Sequence, residues 1–345
     1  QEGLERVETL SPGHQIRRLG QDRMRRSGLL AKVGLTLSWS YQVIQEYRNR
    51  PISCINCHSV PVLPVSVLLK YLTGAKLVYD AHELETETNG LSGLRQWLTR
   101  GIERWMIRYV DYSIFVGKEI DRWYRRTYGL KHTAVIYNCP QTTTVEATDC
   151  FRERFGISPE TPIFLYQGVL AAGRGLDPLI EAFTRLAQEA ALVIMGFGPG
   201  EDRVRAALAE CEAAYFHPAV PPDALLEYTA AADFGLSLIE PTSLSYELCM
   251  PNKLFEYLMA GKPVVVSPTR EQRDFVVEHQ VGVVARDLSV AAIVDAVRAI
   301  LASDAGEMQR AVSRTRALYS WETQESELRK VYSTIGFPVD REEVV

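Results

Sequence analysis

Two side chains of opposite charge, Lys253 and Glu256, lie three residues apart at a predicted helix start in the stretch MPNKLFEYLMAGKPVVVS. Pro251 suits the first turn of this helix and Gly261 suits the position just after its end, as is typical of residues that open and close helices. The apolar run 264–266 is typical of a strand buried on both faces of a parallel sheet. Free N–H groups at a helix start bind anions, a lysine adds positive charge, and a glutamate accepts hydrogen bonds from sugar hydroxyls. The stretch therefore predicts a site for an anionic ligand, with a surface ion pair as the alternative.

Further candidate groups follow other predicted strands of the chain. A histidine follows the strand LVYDA, a glycine and an arginine follow PIFLYQ, and a pair of glycines follows ALVIM. In open α/β sheets, ligands bind outside the carboxyl ends of the strands. If two such sheets face each other, we expect these groups to line one cleft. The candidates at the strand ends are His82, Glu83, Gly168, Arg174, Gly175, Gly196, Gly198, Pro218 and the segment 240–253.

The elements that must position these groups alternate between strands and helices in two successive runs. A polar linker at residues 140–149 separates the two runs. This alternation predicts parallel sheets with helices on both faces. We therefore predict an α/β fold with two Rossmann-like domains, residues 1–140 and 141–318, and a C-terminal helix within residues 319–345. The first 50 residues are predicted to be mostly helical and basic. Their cluster of basic residues is Arg17, Arg18, Arg23, Arg25, Arg26 and Lys32.

The composition, with 46% hydrophobic and 23% charged residues, is that of an ordinary soluble protein. No segment reaches the roughly 18 to 20 apolar residues that a membrane-spanning helix needs. The charge is uneven, because residues 1–140 carry 20 Lys and Arg against 13 Asp and Glu, whereas the rest carries 18 against 30. A basic first half favours a polyanion or a membrane surface as its neighbour, and a merely uneven spread of charge is the alternative. Nucleic acid is not among the partners we expect.

One cysteine motif, CINCH at residues 54–58, matches the spacing used for covalent haem attachment. We do not predict a haem site, because the motif lies in a predicted strand that runs into a loop and no export signal is visible in the sequence. A zinc site is not predicted either, because no second pair of closely spaced cysteines follows. The six cysteines are typical of reduced thiols in a cytoplasmic protein.

The segment from Arg95 to Lys131 combines nine basic residues, four acidic residues and several large aromatic side chains. Its aromatic residues include Trp97, Trp105, Tyr109, Trp123, Tyr124 and Tyr128. Basic groups beside aromatic rings are typical of surfaces that contact anionic lipid headgroups. The segment therefore favours a peripheral contact with an anionic membrane. The alternative is that the rings pack into the core of the first domain while the arginines stay solvated.

The chain resembles the family 4 glycosyltransferases, which have the GT-B fold, over most of residues 60–301. The matching segments are LVYDAHE, YQGVLAAGRGLDPLIEAF, LVIMGFGP, FHPAVPPDALLEYTAAADFGLSLI and MPNKLFEYLMAGKPVVV. The resemblance implies two Rossmann-like domains facing across a cleft, with the last helix crossing back to the first domain. It also implies transfer of a sugar from a nucleotide diphosphate sugar, with retention of the anomeric configuration. The first strand of the family has no counterpart before VETLSPG, so the first domain is expected to lack its first βαβ unit.

The resemblance assigns roles to individual residues. It places the donor diphosphate at Arg174 and at the helix start of Lys253, the ribose at Glu256, and the transferred sugar near His82. The remaining residues that it brings to the nucleotide are Gly168, Gly196, Gly198, Pro218, Val220, Asn252 and Leu254. Two cations and a helix terminus can stabilise a diphosphate leaving group, so we expect no metal and no cofactor besides the donor, for which a UDP-sugar is favoured.

Two positions depart from the family pattern. Leu248 stands where the family has a glutamate that contacts the donor sugar, and Val169 stands where it has an arginine after the first glycine. Glu247 and Glu240 are the candidates to replace the missing glutamate, and we place Glu247 among the catalytic residues.

We expect a sugar or a lipid-linked saccharide as acceptor, in cell-surface polysaccharide or glycolipid assembly, although the sequence alone does not fix the acceptor. The expected location is cytoplasmic, with peripheral contact at the inner face of the cell membrane. A non-catalytic nucleotide-sugar-binding protein of the same fold is one alternative. An NAD-dependent oxidoreductase is another, because MGFGPG contains closely spaced glycines, although the spacing differs from that of dinucleotide-binding loops.

Overall fold

A computed structural model describes residues 5–19, 29–146 and 148–337 of the chain, with the side chains of residues 29–33 left undescribed. Arg23, Arg25 and Arg26 of the predicted basic cluster lie outside the described residues, as do the side chain of Lys32 and the end of the predicted C-terminal segment. The chain divides into two compact units, residues 1–80 with 97–113, and residues 81–96 with 114–345. The domain boundary predicted at residues 140 and 141 stays a prediction.

The N-terminal segment differs from the helical structure predicted for it. Strands β1 (Val7–Ser11) and β2 (His14–Arg17) form an antiparallel hairpin. A Pro-Gly pair joins them, and Gly13 has φ 83°, a left-handed conformation that glycine adopts without steric cost. The predicted helix is therefore wrong for residues 7–17, because the Pro-Gly pair forms a turn between two strands. The helical prediction is confirmed only from α1 (Leu29–Tyr47) onward.

The first sheet has the strand order β3-β4-β5-β6, and β3 pairs parallel to β4. These strands are β3 (Cys54–Cys57), β4 (Lys76–Ala81), β5 (Tyr112–Phe115) and β6 (Thr133–Val135). The helices along this part of the chain are α2 (Leu63–Thr73), α3 (Gly93–Met106) and α4 (Lys118–Tyr128), with 3₁₀ turns at Val60–Val62 and Ile107–Tyr109. Cys54 and Cys57 lie three residues apart on one strand, so their side chains point to opposite faces of the sheet. This geometry does not suit a shared cofactor.

The second sheet has the order β12-β11-β10-β7-β8-β9, and its neighbouring strands pair parallel. Its strands are β7 (Ile163–Val169), β8 (Ala191–Phe197), β9 (Ala214–Pro218), β10 (Phe234–Ser237), β11 (Val264–Val266) and β12 (Gly282–Val284). The chain starts in the middle of this sheet, builds outward through β9, and returns to β10 on the other side of β7. The direction of building therefore reverses between β7 and β10, and such a switch point opens a ligand crevice at the carboxyl ends of the two strands.

Helices cover both faces of the second sheet. Phe164 and Tyr166 contribute to one buried core, whereas Ile163 and Leu165 contribute to another on the opposite face. The helices are α5 (Cys150–Phe155), α6 (Leu176–Arg185), α7 (Glu201–Leu208), α8 (Leu225–Ala230), α9 (Leu244–Glu247), α10 (Asn252–Met259), α11 (Arg270–His279), α12 (Val290–Leu301), α13 (Ala305–Leu318) and α14 (Trp321–Thr334). The predicted α/β fold with two Rossmann-like sheets is confirmed, although the sequence reading missed α5 and α9. Among the described helices, none is both long and apolar enough to cross a bilayer.

A buried carboxylate on α11 holds the start of α4. Glu271 accepts hydrogen bonds from the backbone N–H groups of Lys118 at 2.8 Å and Glu119 at 2.6 Å, and from the hydroxyl of Tyr137 at 3.0 Å. The first N–H groups of a helix have no partner within the helix, and they favour a negative charge. Glu271 is only 5% exposed, so this contact ties two distant parts of the chain together in a site that excludes water.

Glu271→Ala should lower the free energy of unfolding by about 2–4 kcal/mol, because it leaves two backbone donors and a buried hydroxyl without their acceptor. Urea unfolding followed by far-UV circular dichroism measures this loss. Glu278→Ala is a matched control, since its side chain lies on the same helix and is 61% exposed. Equal stability of the Glu271 and Glu278 variants would contradict the structural role assigned to Glu271.

Candidate functional site

A cavity of about 570 Å³ lies at the carboxyl ends of β7, β8 and β10, beside the start of α10. It is the crevice that the switch point between β7 and β10 predicts. Most of the candidate site residues from the sequence line it. These residues are His82, Gly168, Arg174, Gly196, Val220, Asn252, Lys253 and Glu256.

The candidates outside this lining are Gly175, Gly198, Pro218, Glu240, Glu247 and Leu254. The side chain of Leu254 is fully buried, and its backbone N–H donates to the carbonyl of Pro251. Pro251 itself is the residue before the first helical turn, which starts at Asn252 instead of at the proline. The helix start thus lies one residue later than the sequence indicated.

The glycines of the strand-end loops allow two stretches of backbone to approach closely. A Cβ atom on Gly196 would lie 2.0 Å from the carbonyl oxygen of Gly168, and one on Gly198 would lie 2.6 Å from that of Leu170. Gly168 also has φ 129°, which other residues rarely adopt. Close packing of the loops after β7 and β8 therefore accounts for the glycines of MGFGPG. The dinucleotide-binding role considered as an alternative is not needed to explain them.

The loop that carries Arg174 is fixed by Glu240. The carboxylate of Glu240 accepts a hydrogen bond from the Gly175 N–H at 3.0 Å, and the Glu240 N–H donates to the Gly173 carbonyl at 3.1 Å. Glu240, a candidate contact to the donor sugar, is therefore occupied in this structure as a loop anchor. The Arg174 guanidinium carbon lies 4.9 Å from the centre of the Tyr246 ring.

Arg174 itself has bonding capacity left. Its Nε atom is buried and has no hydrogen-bond partner among the described residues. Arg174 also forms no ion pair with a carboxylate of any described residue. A buried donor of this kind is costly unless a ligand accepts its hydrogen bond. The geometry therefore leaves Arg174 available to an anion in the cavity.

Lys253 is a second cation in the same cavity. Its Nζ lies 3.9 Å from the centre of the Tyr166 ring. Desolvation, followed by the positive charge of Arg174, lowers the pKa of Lys253 to about 7, against the opposing effect of Glu256. An anion bound between Arg174 and Lys253 would relieve their repulsion and favour the charged lysine.

Glu256 is held by a buried polar chain that the sequence reading missed. Gln167 donates from Nε2 to the Glu256 carboxylate at 2.6 Å, and its Oε1 accepts from the hydroxyl of Thr229 at 2.8 Å. Burial raises the pKa of Glu256, while the Gln167 hydrogen bond and Lys253 lower it. The signal in the sequence was the single amide at the end of the apolar strand PIFLYQ, since a buried amide needs partners.

The loop after β4 is attached to α9. The Leu84 N–H donates to Ser245 Oγ at 3.3 Å, and the Ser245 N–H donates to the Glu87 carbonyl at 3.3 Å. These bonds hold the loop where the exposed side chains of His82 and Glu83 line the cavity. Partial burial raises the pKa of Glu83, and the charges of Arg174 and His82 oppose that shift.

The two departures from the family pattern differ in their surroundings. Leu248 is 2% exposed, belongs to the core and does not line the cavity. Val169 lines the cavity with 43% of its surface exposed, but it brings no charge there. Glu247 is half-buried on α9, outside the cavity lining. Arg174 and Lys253 therefore supply the positive charge of the cavity.

Comparisons with known proteins cover both halves of the chain. The family model "Glycosyltransferase Family 4" matches residues 6–142, and the model "Glycosyl transferases group 1" matches residues 161–303. The D-inositol 3-phosphate glycosyltransferase of Xylanimonas cellulosilytica is 27% identical over 204 residues, which are 56% of this chain and 47% of that protein. The chain thus spans about half the length of this curated relative.

Solved structures with similar folds include sucrose-phosphate synthase from Thermosynechococcus elongatus, with a TM-score of 0.80 and 16% identity over 97% of this chain and 86% of that one. The Anabaena protein HepE in complex with UDP-glucose gives a TM-score of 0.70 and 14% identity, over 89% of this chain and 84% of that one. WaaG, a glycosyltransferase of lipopolysaccharide biosynthesis, gives 0.64 and 14%, over 90% and 85%.

The two parallel sheets and these structural neighbours define a protein of the GT-B class. Each half of the chain matches a glycosyltransferase family model, so the chain is similar to the family 4-like glycosyltransferases.

Proposed function

We propose that this protein transfers a sugar from a nucleotide diphosphate sugar to a sugar or lipid-linked saccharide, with retention of the anomeric configuration. The observation that carries the proposal is the pair of cations in the cavity, Arg174 with its unpartnered buried Nε and Lys253 with its lowered pKa. Both lie where a parallel sheet of this topology binds its ligand. A diphosphate supplies the negative charge that would neutralise these two cations.

The reaction needs positive charge at the leaving group, because bond breaking at the anomeric carbon develops negative charge on the diphosphate. Groups already fixed in place stabilise that charge without reorganising during the reaction. Arg174 offers a planar fork for two phosphate oxygens, and Lys253 offers a point charge at the start of α10. Glu256, held by Gln167, would accept hydrogen bonds from the ribose, and His82 would lie near the transferred sugar.

The base and the metal requirement belong to the proposal as well. HepE binds UDP and UDP-glucose according to its solved structures, which favours a UDP-sugar as donor for this chain. We propose that transfer proceeds without a metal or a further cofactor, because Arg174 and Lys253 can neutralise the diphosphate. The proposed acceptor is a sugar or a lipid-linked saccharide. The proposed role is in cell-surface polysaccharide or glycolipid assembly, at the inner face of the cell membrane.

A screen of nucleotide sugars tests this function. Binding of UDP-, GDP-, ADP- and TDP-sugars is measured by calorimetry, and slow hydrolysis of each donor is followed by NMR, which also shows the configuration of the first product. Binding and turnover of one donor class, in the presence of EDTA, is the expected result. Failure of every nucleotide sugar to bind would overturn the proposal.

The role of Glu256 can be tested against single hydroxyl groups of the ligand. Glu256→Gln should weaken UDP binding by about 1.5–3 kcal/mol, the usual range for hydrogen bonds to charged groups. Two analogues of UDP, lacking the 2′- or the 3′-hydroxyl, are compared. The analogue that lacks the hydroxyl bound by Glu256 should bind the variant and the wild type equally. Glu181→Gln, at a side chain 61% exposed, is the control. A loss that persists in full with both deoxy analogues would reject ribose binding by Glu256.

A non-catalytic nucleotide-sugar-binding protein is the second candidate, and the burial of Leu248 favours it. Where the resemblance expects a glutamate, this chain has Leu248, which is only 2% exposed. Donor binding without turnover, over a panel of saccharide acceptors, would support this candidate. Turnover by the wild type that is lost in Arg174→Ala would reject it.

A further inference from the structure

An apolar surface lies exposed on helices α2 and α3 and is named here the α2–α3 surface. Its residues are Leu68, Tyr71, Leu72, Trp97, Leu98, Ile102 and Trp105. Trp97 is 69% exposed, Trp105 54% and Tyr71 65%. Single exposed apolar residues are common, but several large ones on adjoining helices mark a surface that binds something.

Helix α3 is amphipathic in the reverse of the usual sense. Its buried face carries Glu103, which is fully buried and accepts a hydrogen bond from the Tyr79 hydroxyl at 3.0 Å. At about 100° per residue, Trp97 and Trp105 fall on the opposite side of the helix from Glu103. A helix of a soluble domain normally turns its apolar stripe inward. The α3 stripe instead points away from the core that the helix packs on.

The exposed residues of the two helices are continuous. Tyr109 joins them, because its ring centre lies 6.0 Å from that of Tyr71 on α2 and 6.4 Å from that of Trp105 on α3. On α2, the exposed residues Leu68, Tyr71 and Leu72 follow the spacing of one helical face. The result is one surface, not two unrelated patches.

Arginines border this surface. Arg100, Arg104 and Arg108 are exposed on α3 and on the turn that follows it. In contrast, Tyr124 of the predicted segment is fully buried on α4, and its ring centre lies 4.4 Å from that of Phe115. The core-packing alternative therefore holds for Tyr124 on α4, and the exposed aromatic groups are those of α2 and α3.

We propose that the α2–α3 surface binds an anionic phospholipid bilayer. Tryptophan and tyrosine rings favour the headgroup level of a bilayer, leucine and isoleucine side chains enter the acyl boundary, and arginines meet anionic headgroups. The surface combines these components on one side of two helices. This inference deepens the membrane part of the proposed function by naming the surface and the lipid charge that it requires.

Vesicle flotation of the 345-residue chain, without donor or acceptor, tests the inference. Vesicles of pure phosphatidylcholine are compared with vesicles in which about half of the lipid is phosphatidylglycerol, at about 50 and 500 mM NaCl. Binding is expected to the anionic vesicles at low salt. The Trp97→Gln/Trp105→Gln variant should bind about tenfold more weakly or worse, because two interfacial rings are lost. Arg104→Gln and Arg108→Gln should each cost about fivefold, with a weaker salt dependence.

The matched control is Val277→Ser/Leu318→Ser, which removes two apolar side chains of similar exposure outside the α2–α3 surface. It should bind vesicles like the wild type, and all variants should keep their thermal unfolding midpoints. Wild-type protein that stays unbound with anionic vesicles at low salt would overturn the inference. So would equal binding by the tryptophan variant, or self-association through these tryptophans in place of vesicle binding. Nucleotide-sugar binding measured on the same variants separates this inference from the proposed transferase function.

Discussion

Replacing Arg174 with alanine is expected to weaken binding of the donor by about 1.5–3 kcal/mol and to lower kcat/KM by about 100- to 1000-fold. Among the described residues, the Nε atom of Arg174 is buried and has no hydrogen-bond partner, so the guanidinium can donate to the diphosphate. Negative charge on the diphosphate grows as the sugar leaves, so the loss in the transition state should exceed the loss in the ground state. Turnover should therefore fall by more than donor affinity.

Calorimetry with the donor and initial rates at saturating acceptor measure the two losses separately. Arg174→Lys keeps the charge but not the planar fork, and it should recover part of both losses. Arg203→Ala is the control, because this arginine is exposed and pairs with Asp177 on the surface. Unchanged donor affinity and rate in a folded Arg174→Ala protein would reject the placement of the diphosphate.

Donor affinity is expected to fall as the pH rises above about 7, because the lowered pKa of Lys253 leaves this group neutral in the free protein. A bound diphosphate favours the charged lysine and raises its pKa, so binding above pH 7 must take up a proton. The sign follows from this linkage: affinity is highest below the free-protein pKa, and it declines by up to about tenfold per pH unit above it. The decline ends where the pKa of the bound state is reached.

An intact nucleotide sugar is the probe, since its diphosphate has no ionisation near neutral pH that would add its own slope. Calorimetry in buffers of different ionisation enthalpy should show uptake of close to one proton per donor at pH 8. Lys253→Met should abolish both the uptake and the pH slope, and should weaken binding at pH 6 by about 1.5–3 kcal/mol. Lys330→Met, at an exposed side chain of α14, should change neither. An affinity that is flat in pH for the wild type would contradict the role of Lys253.

The candidate site was predictable where local pattern carries the information. The helix of Lys253 and Glu256 was read from its start and stop residues, and the strands of the second sheet were read from short apolar runs between glycines. These signals depend on backbone conformation and side-chain type within a few residues, so they survive folding unchanged. The candidate residues largely line one cavity because most of them follow strands, and the carboxyl ends of the strands of an open α/β sheet form its ligand crevice.

Other features depended on partners far away in the sequence. The carboxylate of Glu240 anchors the Gly175 N–H, and Gln167 orients Glu256 through a buried chain that ends at Thr229. The side chain of Leu248 is removed from the cavity by burial. Hydrogen bonds of this kind join residues that lie tens of positions apart, so no spacing rule along the chain predicts them.

The sequence by itself determined the alternation of elements, the helix start with its two charged residues, and the amphipathic character of α3. The tertiary structure decided which face of α3 is buried. An amphipathic pattern fixes the angle between apolar and polar residues around a helix, but the neighbouring elements decide which of the two sides meets the core. Here Glu103 faces the core and accepts a hydrogen bond from Tyr79, whereas Trp97 and Trp105 face outward.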